Sequence, residues 1–168
     1  MEQSTILTTP DLHFASYLKV KGCRIISVKR EYSKRIFTFD VASSRMSIAD
    51  LRFGYFNNDN DLKYLVDAVK YSDAIRSMKT LCHVDIVGPD ITTPDLYFAA
   101  FLHTLRCNLK DVRRSPHKTI FVFDVTSSGL SATDIQLSYF NGDDQRYGVG
   151  ALSYNDSIRV LKELCNND

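Results

Sequence analysis

Residues 29–44 read KREYSKRIFTFDVASS, and residues 113–128 read RRSPHKTIFVFDVTSS in the same order. Each copy starts with basic residues around a short turn, continues with alternating aromatic residues, and ends in a polar run. In the first copy Phe37 and Phe39 fall on one face of the chain and Thr38 on the other, which is the period of a half-buried strand. The stretch therefore predicts a β-hairpin, and the chain contains it twice.

The repeat extends well beyond the hairpin. Residues 8–58 align with residues 92–142 at a constant offset of 84, with 24 identities in 51 positions, and the offset falls to 83 in the last part of each copy. A repeat of this length that occurs twice indicates paired domains rather than a solenoid. The sequence predicts a tandem duplication with repeat 1 at residues 1–84, a linker at 85–91 and repeat 2 at 92–168.

Each repeat has the same predicted order of elements, α-β-β-α-α. Thr9-Pro10-Asp11 is a helix-start signal in which threonine acts as the cap and proline takes the first helical position. Ser47 followed by Asp50 resembles a capping box at the start of a short second helix. The two strands are predicted at about 23–31 and 35–41 (107–114 and 118–125), and the last helix at about 68–82 (151–165).

An α+β fold follows from this order of elements. An isolated hairpin is only marginally stable in water, and a domain of about 80 residues buries little more than 60% of its surface. We therefore expect the two hairpins to form one shared antiparallel sheet flanked by helices. Two independent units, each with its own core, are the alternative.

Composition excludes several classes of protein. Hydrophobic residues make up 44% of the chain and charged residues 24%, which is typical of a globular protein. No apolar run approaches the length of about 20 residues that a membrane helix needs, so no membrane partner is expected. The N-terminal segment lacks the features of a secretory signal, and the four cysteines contain no C-x-x-C motif. We expect a cytoplasmic protein with reduced, buried thiols.

The sequence contains no pattern that indicates catalysis. It has no glycine-rich phosphate loop, no G-x-S-x-G and no H-E-x-x-H, and the four histidines do not share metal-ligand spacing. The acids that occur in both repeats are mostly at helix starts and strand ends, where caps favour them. We expect no catalytic residue, no metal site and no cofactor, so an enzyme is the least favoured class.

The distribution of charge is more informative. Residues 24–35 contain five basic side chains and one acidic, 5 − 1 = +4, and residues 106–118 give the same sum. The whole chain is +1, so the remainder carries 1 − 8 = −7. The basic charge is concentrated on the two hairpins. The predicted binding residues are Lys29, Arg30, Tyr32, Lys34, Arg35, Arg113, Arg114, His117 and Lys118.

Three interpretations of the basic hairpins stay open. They could bind an acidic protein partner or another copy of the chain. They could instead follow the phosphate backbone of DNA or RNA, with Tyr32 stacking on a base. Finally, edge strands often carry lysine and arginine only to prevent aggregation.

Four motifs resemble a small domain family of bacteria and their phages whose function is unknown. They are T-P-D-L, F-x-F-D, Y-F-N followed by Asn or Gly, and D-x-I-R-x-x-K, and each occurs in both repeats. Repeat 1 departs at Asn58, where the family usually has glycine, and repeat 2 has no equivalent of Gly22. The resemblance implies a non-enzymatic, phage-type binding or virion-associated protein, in the host-cell cytoplasm or the virion. The matching residues are Asp11, Phe39, Arg76, Lys79, Asp95, Phe123, Asn141, Gly142, Arg159 and Lys162.

Overall fold

The computed structural model describes residues 5–57, 61–142 and 148–166, which form two compact units, Met1–Cys82 and His83–Asp168. The predicted α+β class is confirmed. Unit 1 contains β1 (Ile6–Thr9), α1 (Leu12–Val20), β2 (Arg24–Glu31), β3 (Lys34–Asp40), α2 (Ile48–Phe56) and α3 (Ala68–Cys82). Unit 2 contains β4 (Asp85–Val87), β5 (Asp90–Thr93), α4 (Leu96–Thr104), β6 (Asn108–Ser115), β7 (Lys118–Asp124), α5 (Ala132–Asn141) and α6 (Ala151–Asn166).

The two hairpins do not share a sheet, so that part of the prediction is wrong. Unit 1 has a three-stranded antiparallel sheet of order β1-β3-β2, and unit 2 has a four-stranded antiparallel sheet of order β4-β5-β7-β6. The reason is a short strand before the first helix of each unit. Strand β1 pairs with β3, and β5 pairs with β7, so a strand of the same unit occupies the second edge of β3 and β7.

The predicted linker at 85–91 is also different in the structure. It contains all of β4 and the beginning of β5, which form a hairpin around Gly88. Gly88 has a φ of +60°, a backbone conformation that glycine adopts without strain. The segment between the repeats is thus part of the second sheet.

Local sequence explains where the helices begin. The Asp11 carboxylate accepts hydrogen bonds from the backbone N–H groups of His13 and Phe14 at 2.8 and 3.0 Å, so Asp11 caps α1. The predicted cap, Thr9, instead ends β1 and accepts the Asp11 N–H at 3.1 Å. The Ser47 cap of α2 is confirmed, because its hydroxyl accepts the Asp50 N–H at 3.0 Å.

Each core lies between a sheet and a pair of helices, α1 with α3 in unit 1 and α4 with α6 in unit 2. The phenylalanines of the central strands, Phe37 and Phe39 in β3 and Phe121 and Phe123 in β7, are fully buried. This confirms the inward face predicted from the period of two. Other fully buried side chains are Leu18, Ile25, Met78 and Leu81 in unit 1 and Ile91, Phe98, Leu102 and Leu161 in unit 2.

The four cysteines are free thiols. Cys23 and Cys107 are buried, whereas Cys82 and Cys165 are half-buried. Burial raises the pKa of the Cys23 thiol to about 11, and it also raises the pKa of Cys107. Both buried thiols therefore stay protonated at neutral pH and pack as small apolar groups.

This burial predicts the order in which the thiols react. At pH 8, a pKa of about 11 in place of 9 leaves Cys23 with about 100-fold less thiolate. We expect iodoacetamide to modify Cys165 well before Cys23 and Cys107 in the folded protein, as measured by peptide mass spectrometry. In 6 M guanidinium as the control, all four should react at similar rates. Equal rates for Cys23 and Cys165 in the folded protein would contradict the described packing.

Candidate binding surface on the hairpins

The hairpin of unit 1 ends in a two-residue turn. Strands β2 and β3 pair as far as Glu31 and Lys34, which leaves Tyr32 and Ser33 at the tip. Tyr32 has a φ of +53° and is 101% exposed. Tight hairpin turns need a positive φ there and favour glycine or asparagine, so tyrosine costs about 1–2 kcal/mol. The Tyr32 ring is thus fully exposed to solvent, and its backbone conformation is one that tyrosine rarely adopts.

Arg35 does not belong to the outer surface of this hairpin. It lies on the same face of β3 as Phe37, two residues away, and is half-buried. Its Nε donates to the backbone carbonyl of Cys82 at 3.0 Å. Cys82 is the last residue of α3, where carbonyls lack partners within the helix and positive charge is favoured. Arg35 therefore holds the end of α3 against the hairpin.

Unit 2 has the same arrangement with a different arginine. Arg114 of β6 pairs across the hairpin with Thr119, and its guanidinium donates to the backbone carbonyl of Leu164 in the last turn of α6. Arg30, which corresponds to Arg114 in the repeat, pairs across the hairpin with Arg35 and lies on this inner side. Three of the nine predicted binding residues thus lie on the helix-facing side, and two of them bind helix carbonyls.

The outer face of the unit 1 hairpin carries Lys29 and Lys34. Both side chains are exposed, and neither has an ion-pair or hydrogen-bond partner among residues 5–57 and 61–82. Glu31 faces Lys34 across the strands, and Ile36 faces Lys29. The face next to Tyr32 is therefore basic, with a single nearby acid.

The outer face of the unit 2 hairpin is largely neutralised. Arg113 Nε lies 2.8 Å from the Asp111 carboxylate, and Lys110 Nζ lies 2.8 Å from Asp90. At the tip, His117 and Lys118 are exposed and make no such contact with the part of the chain that the structure describes. The equal charges predicted for the two hairpins consequently produce unequal surfaces, and that of unit 1 has more unpaired basic charge.

The acids that occur in both repeats stabilise local structure. Asp40 accepts the Ala42 N–H at 3.0 Å at the end of β3, and Asp73 pairs with Arg76 at 3.4 Å on α3. Within the described ranges no three His, Cys, Asp or Glu side chains form a group that could hold a metal ion. Over the same residues no helix has the length and apolar character to cross a membrane.

A second candidate site, which the sequence did not predict, is a cavity of about 410 Å³ in unit 2. It lies between the end of α4 and the start of α6. Its wall is mainly polar, with the side chains of a histidine, an arginine and three hydroxyl residues. The lining residues are His103, Thr104, Leu105, Arg106, Gly148, Val149, Gly150, Ser153 and Ser157.

A hydrogen-bonded cluster of three residues lines part of this cavity. Ser157 Oγ lies 2.9 Å from His103 Nδ1 and 3.0 Å from Thr104 Oγ1. The Thr104 hydroxyl also lies 2.7 Å from the Ala100 carbonyl, to which it can donate. Ser157 is only 5% exposed, so it holds the imidazole ring in place from behind.

The signal for this cavity was present in the differences between the repeats. At the repeat offsets, Val20 corresponds to Thr104, Gly22 to Arg106 and Ala74 to Ser157. Unit 1 therefore has apolar or small residues where unit 2 has polar ones. A search for identities between the repeats passes over these positions.

Comparison of the chain with protein-family models, with curated proteins and with solved structures found no match. The resemblance to a bacterial and phage domain family therefore stays a prediction.

Proposed function

We propose that the chain is a non-enzymatic binding protein that engages an acidic protein surface through the tip and outer face of the β2–β3 hairpin. The observation that carries the proposal is Tyr32, which is fully exposed and has a positive φ. Residues held in a disfavoured backbone conformation cluster at functional sites. Tyrosine is also among the residues that contribute most to protein interfaces.

The charges around the ring support an acidic partner. Lys29 and Lys34 flank the tip and make no ion pair with the described residues, so their charge is available to a partner. Charges at the rim of an interface mainly increase the rate of association, whereas a buried aromatic anchor slows dissociation. In this arrangement Tyr32 supplies affinity and the lysines supply attraction. The resemblance to phage domains suggests that the partner is met in an infected cell or in a virion.

The test places a photo-crosslinking amino acid at position 32, with position 117 at the tip of the other hairpin as the matched control. In cells that encode the chain, we expect one dominant adduct from position 32 that protease removes and nuclease does not. Excess wild-type protein should suppress the adduct, and the Tyr32→Asn variant should do so about 30-fold less well. Asparagine tolerates a positive φ, so this variant keeps the turn.

Three outcomes would contradict the proposal. They are the absence of any adduct from position 32, equal adducts from positions 32 and 117, and equal competition by Tyr32→Asn. An adduct that nuclease removes would instead favour DNA or RNA as the partner. In that case a mobility shift with nucleic acid should weaken steeply with salt, and neutralising Lys29 and Lys34 should reduce the slope by about 2.

A further inference from the structure

We propose that the cavity in unit 2 binds a small molecule that carries a phosphate group, independently of the hairpin. The first reason is its size. A cavity of about 410 Å³ is within the range of small-molecule sites, which is roughly 300–1,000 Å³. Such a site needs a few well-placed polar groups, and this one contains them at fixed positions.

The second reason is the backbone of Arg106. Its φ is +61°. The corresponding residue in unit 1 is Gly22, which has a φ of +83° and adopts that conformation without strain because it has no side chain. Unit 2 therefore places arginine where the fold favours glycine, at a cost of about 1–2 kcal/mol. Arg106 lines the cavity and is exposed, and its guanidinium has no hydrogen-bond or ion-pair partner in the described ranges. A strained residue with an unpaired charge in a cavity indicates a ligand rather than a role in folding.

The third reason is the polar cluster around Ser157, which is buried, with His103 and Thr104 half-buried beside it. A buried hydroxyl group stabilises a fold less than the apolar group it replaces. Such a replacement is expected where the hydroxyl group has a function. Ser157, which is itself hydrogen-bonded to Thr104, holds the Nδ1 side of His103, and the Nε2 side has no partner among the described residues. The imidazole is therefore oriented before any ligand arrives.

The chemistry of the lining selects the ligand. The described lining residues include one permanent cation, one imidazole and several hydroxyl groups, and none of them is Asp or Glu. Arginine recognises phosphate through paired charge-assisted hydrogen bonds, and hydroxyl groups can donate to the remaining oxygens. The rest of the cavity is large enough for an attached sugar or base, so a sugar phosphate or a mononucleotide fits better than a bare phosphate ion.

In unit 1 a lysine side chain occupies the position that corresponds to the cavity. Lys21 Nζ donates to the backbone carbonyls of Lys63 and Leu65, each at 2.7 Å. Leu65 corresponds to Gly148 at the repeat offset of 83, and Lys21 corresponds to Leu105 at the offset of 84. In unit 1 a lysine thus ties the loop before the last helix to α1. In unit 2 the corresponding side chain, that of Leu105, is apolar and cannot make such a bond, and both Leu105 and Gly148 line the cavity.

The test titrates the full chain with AMP, ribose 5-phosphate and inorganic phosphate. Adenosine and ribose serve as uncharged controls. Binding is measured by the changes in the amide chemical shifts in NMR spectra. We expect AMP or ribose 5-phosphate to shift the signals of residues 103–106 and 148–157, with unit 1 unchanged. Arg106→Gly should weaken this binding about 10- to 100-fold, since a hydrogen bond to a charged group is lost. Glycine suits a positive φ, so the variant should fold, and Arg106→Lys should restore part of the affinity.

Several results would overturn the proposal. The first is no shift with any phosphate probe at 10 mM. Equal affinity in Arg106→Gly, or equal affinity for adenosine and AMP, would show that no phosphate site exists. If Arg106→Gly fails to fold, Ser157→Ala serves as the second variant, because unit 1 has alanine at this position; unchanged affinity there would overturn the role of the His103 cluster. None of these results bears on crosslinking at Tyr32, so the two proposals stand or fall separately.

Discussion

Replacing Phe39 with alanine is expected to destabilise unit 1 by about 3–5 kcal/mol and to leave unit 2 nearly unchanged. Phe39 is fully buried on the central strand β3, opposite Leu7 of β1 and Ile25 of β2. Truncation leaves a cavity among three strands of one sheet. Because no strand of unit 2 belongs to that sheet, the loss should be local.

Hydrogen exchange measured by mass spectrometry resolves the two units. In the Phe39→Ala variant the amides of β1, β2 and β3 should exchange at least 100-fold faster, while those of β5, β6 and β7 should keep their wild-type rates. Phe123→Ala is the matched control, since Phe123 is the equivalent buried residue on β7, and it should give the reverse pattern. Equal acceleration in both units by either variant would favour the joint core that the sequence predicted.

The hairpins could be predicted because their signal lies within a single stretch. A period of two sustained over the aromatic strand determines both the strand and its buried face, and the register then follows from a two-residue turn. The helix caps are similarly local, although the cap of α1 is two residues further along the chain than predicted. Asp11 reaches two amide groups, whereas Thr9 is already committed to β1.

The short strands were missed because four residues cannot establish a period. Strand β1 alternates between exposed and buried positions over only Ile6–Thr9, directly before a helix-start signal. Strand β4 has three residues. Their identity as strands depends on the open edges of β3 and β5, which is a tertiary property. Without these strands, the sequence favours a shared sheet over two independent units.

Part of the candidate site follows from the sequence, because the period of two determines on which face of the strand each residue lies. Alternation places Arg35 on the face of Phe37, so its inward position could have been predicted from the same argument that buried the phenylalanine. The carbonyl of Cys82 that it binds could not be predicted, because that contact depends on how α3 packs. Counting charge along a segment ignores the side on which each residue lies. That omission made the two hairpins look equivalent.

The Gly54→Ala substitution is expected to destabilise unit 1 by about 2 kcal/mol. In most helices the same substitution is stabilising by about 1 kcal/mol, because alanine has the higher helix propensity. A Cβ at position 54 would lie 2.6 Å from Tyr64 Cγ and 2.8 Å from Tyr17 Oη, and closer still to Tyr64 Cδ1. Both tyrosines are buried, so neither ring can move into solvent without exposing apolar area. The steric cost exceeds the gain in propensity.

A double-mutant cycle separates these two effects. In a Tyr64→Ala background most of the obstruction is absent, so Gly54→Ala should become neutral or stabilising, which gives a coupling of about 2 kcal/mol. Urea denaturation of the four proteins measures the cycle, and Ser138→Ala at the matching position of α5 controls for the general effect of alanine in this helix. If Gly54→Ala stabilises the otherwise wild-type chain, Tyr64 does not pack over α2 as described. The Tyr64 hydroxyl also donates to Asp50 at 3.3 Å, a contact that joins the segment after α2 to the start of the same helix. That result would therefore contradict this contact as well.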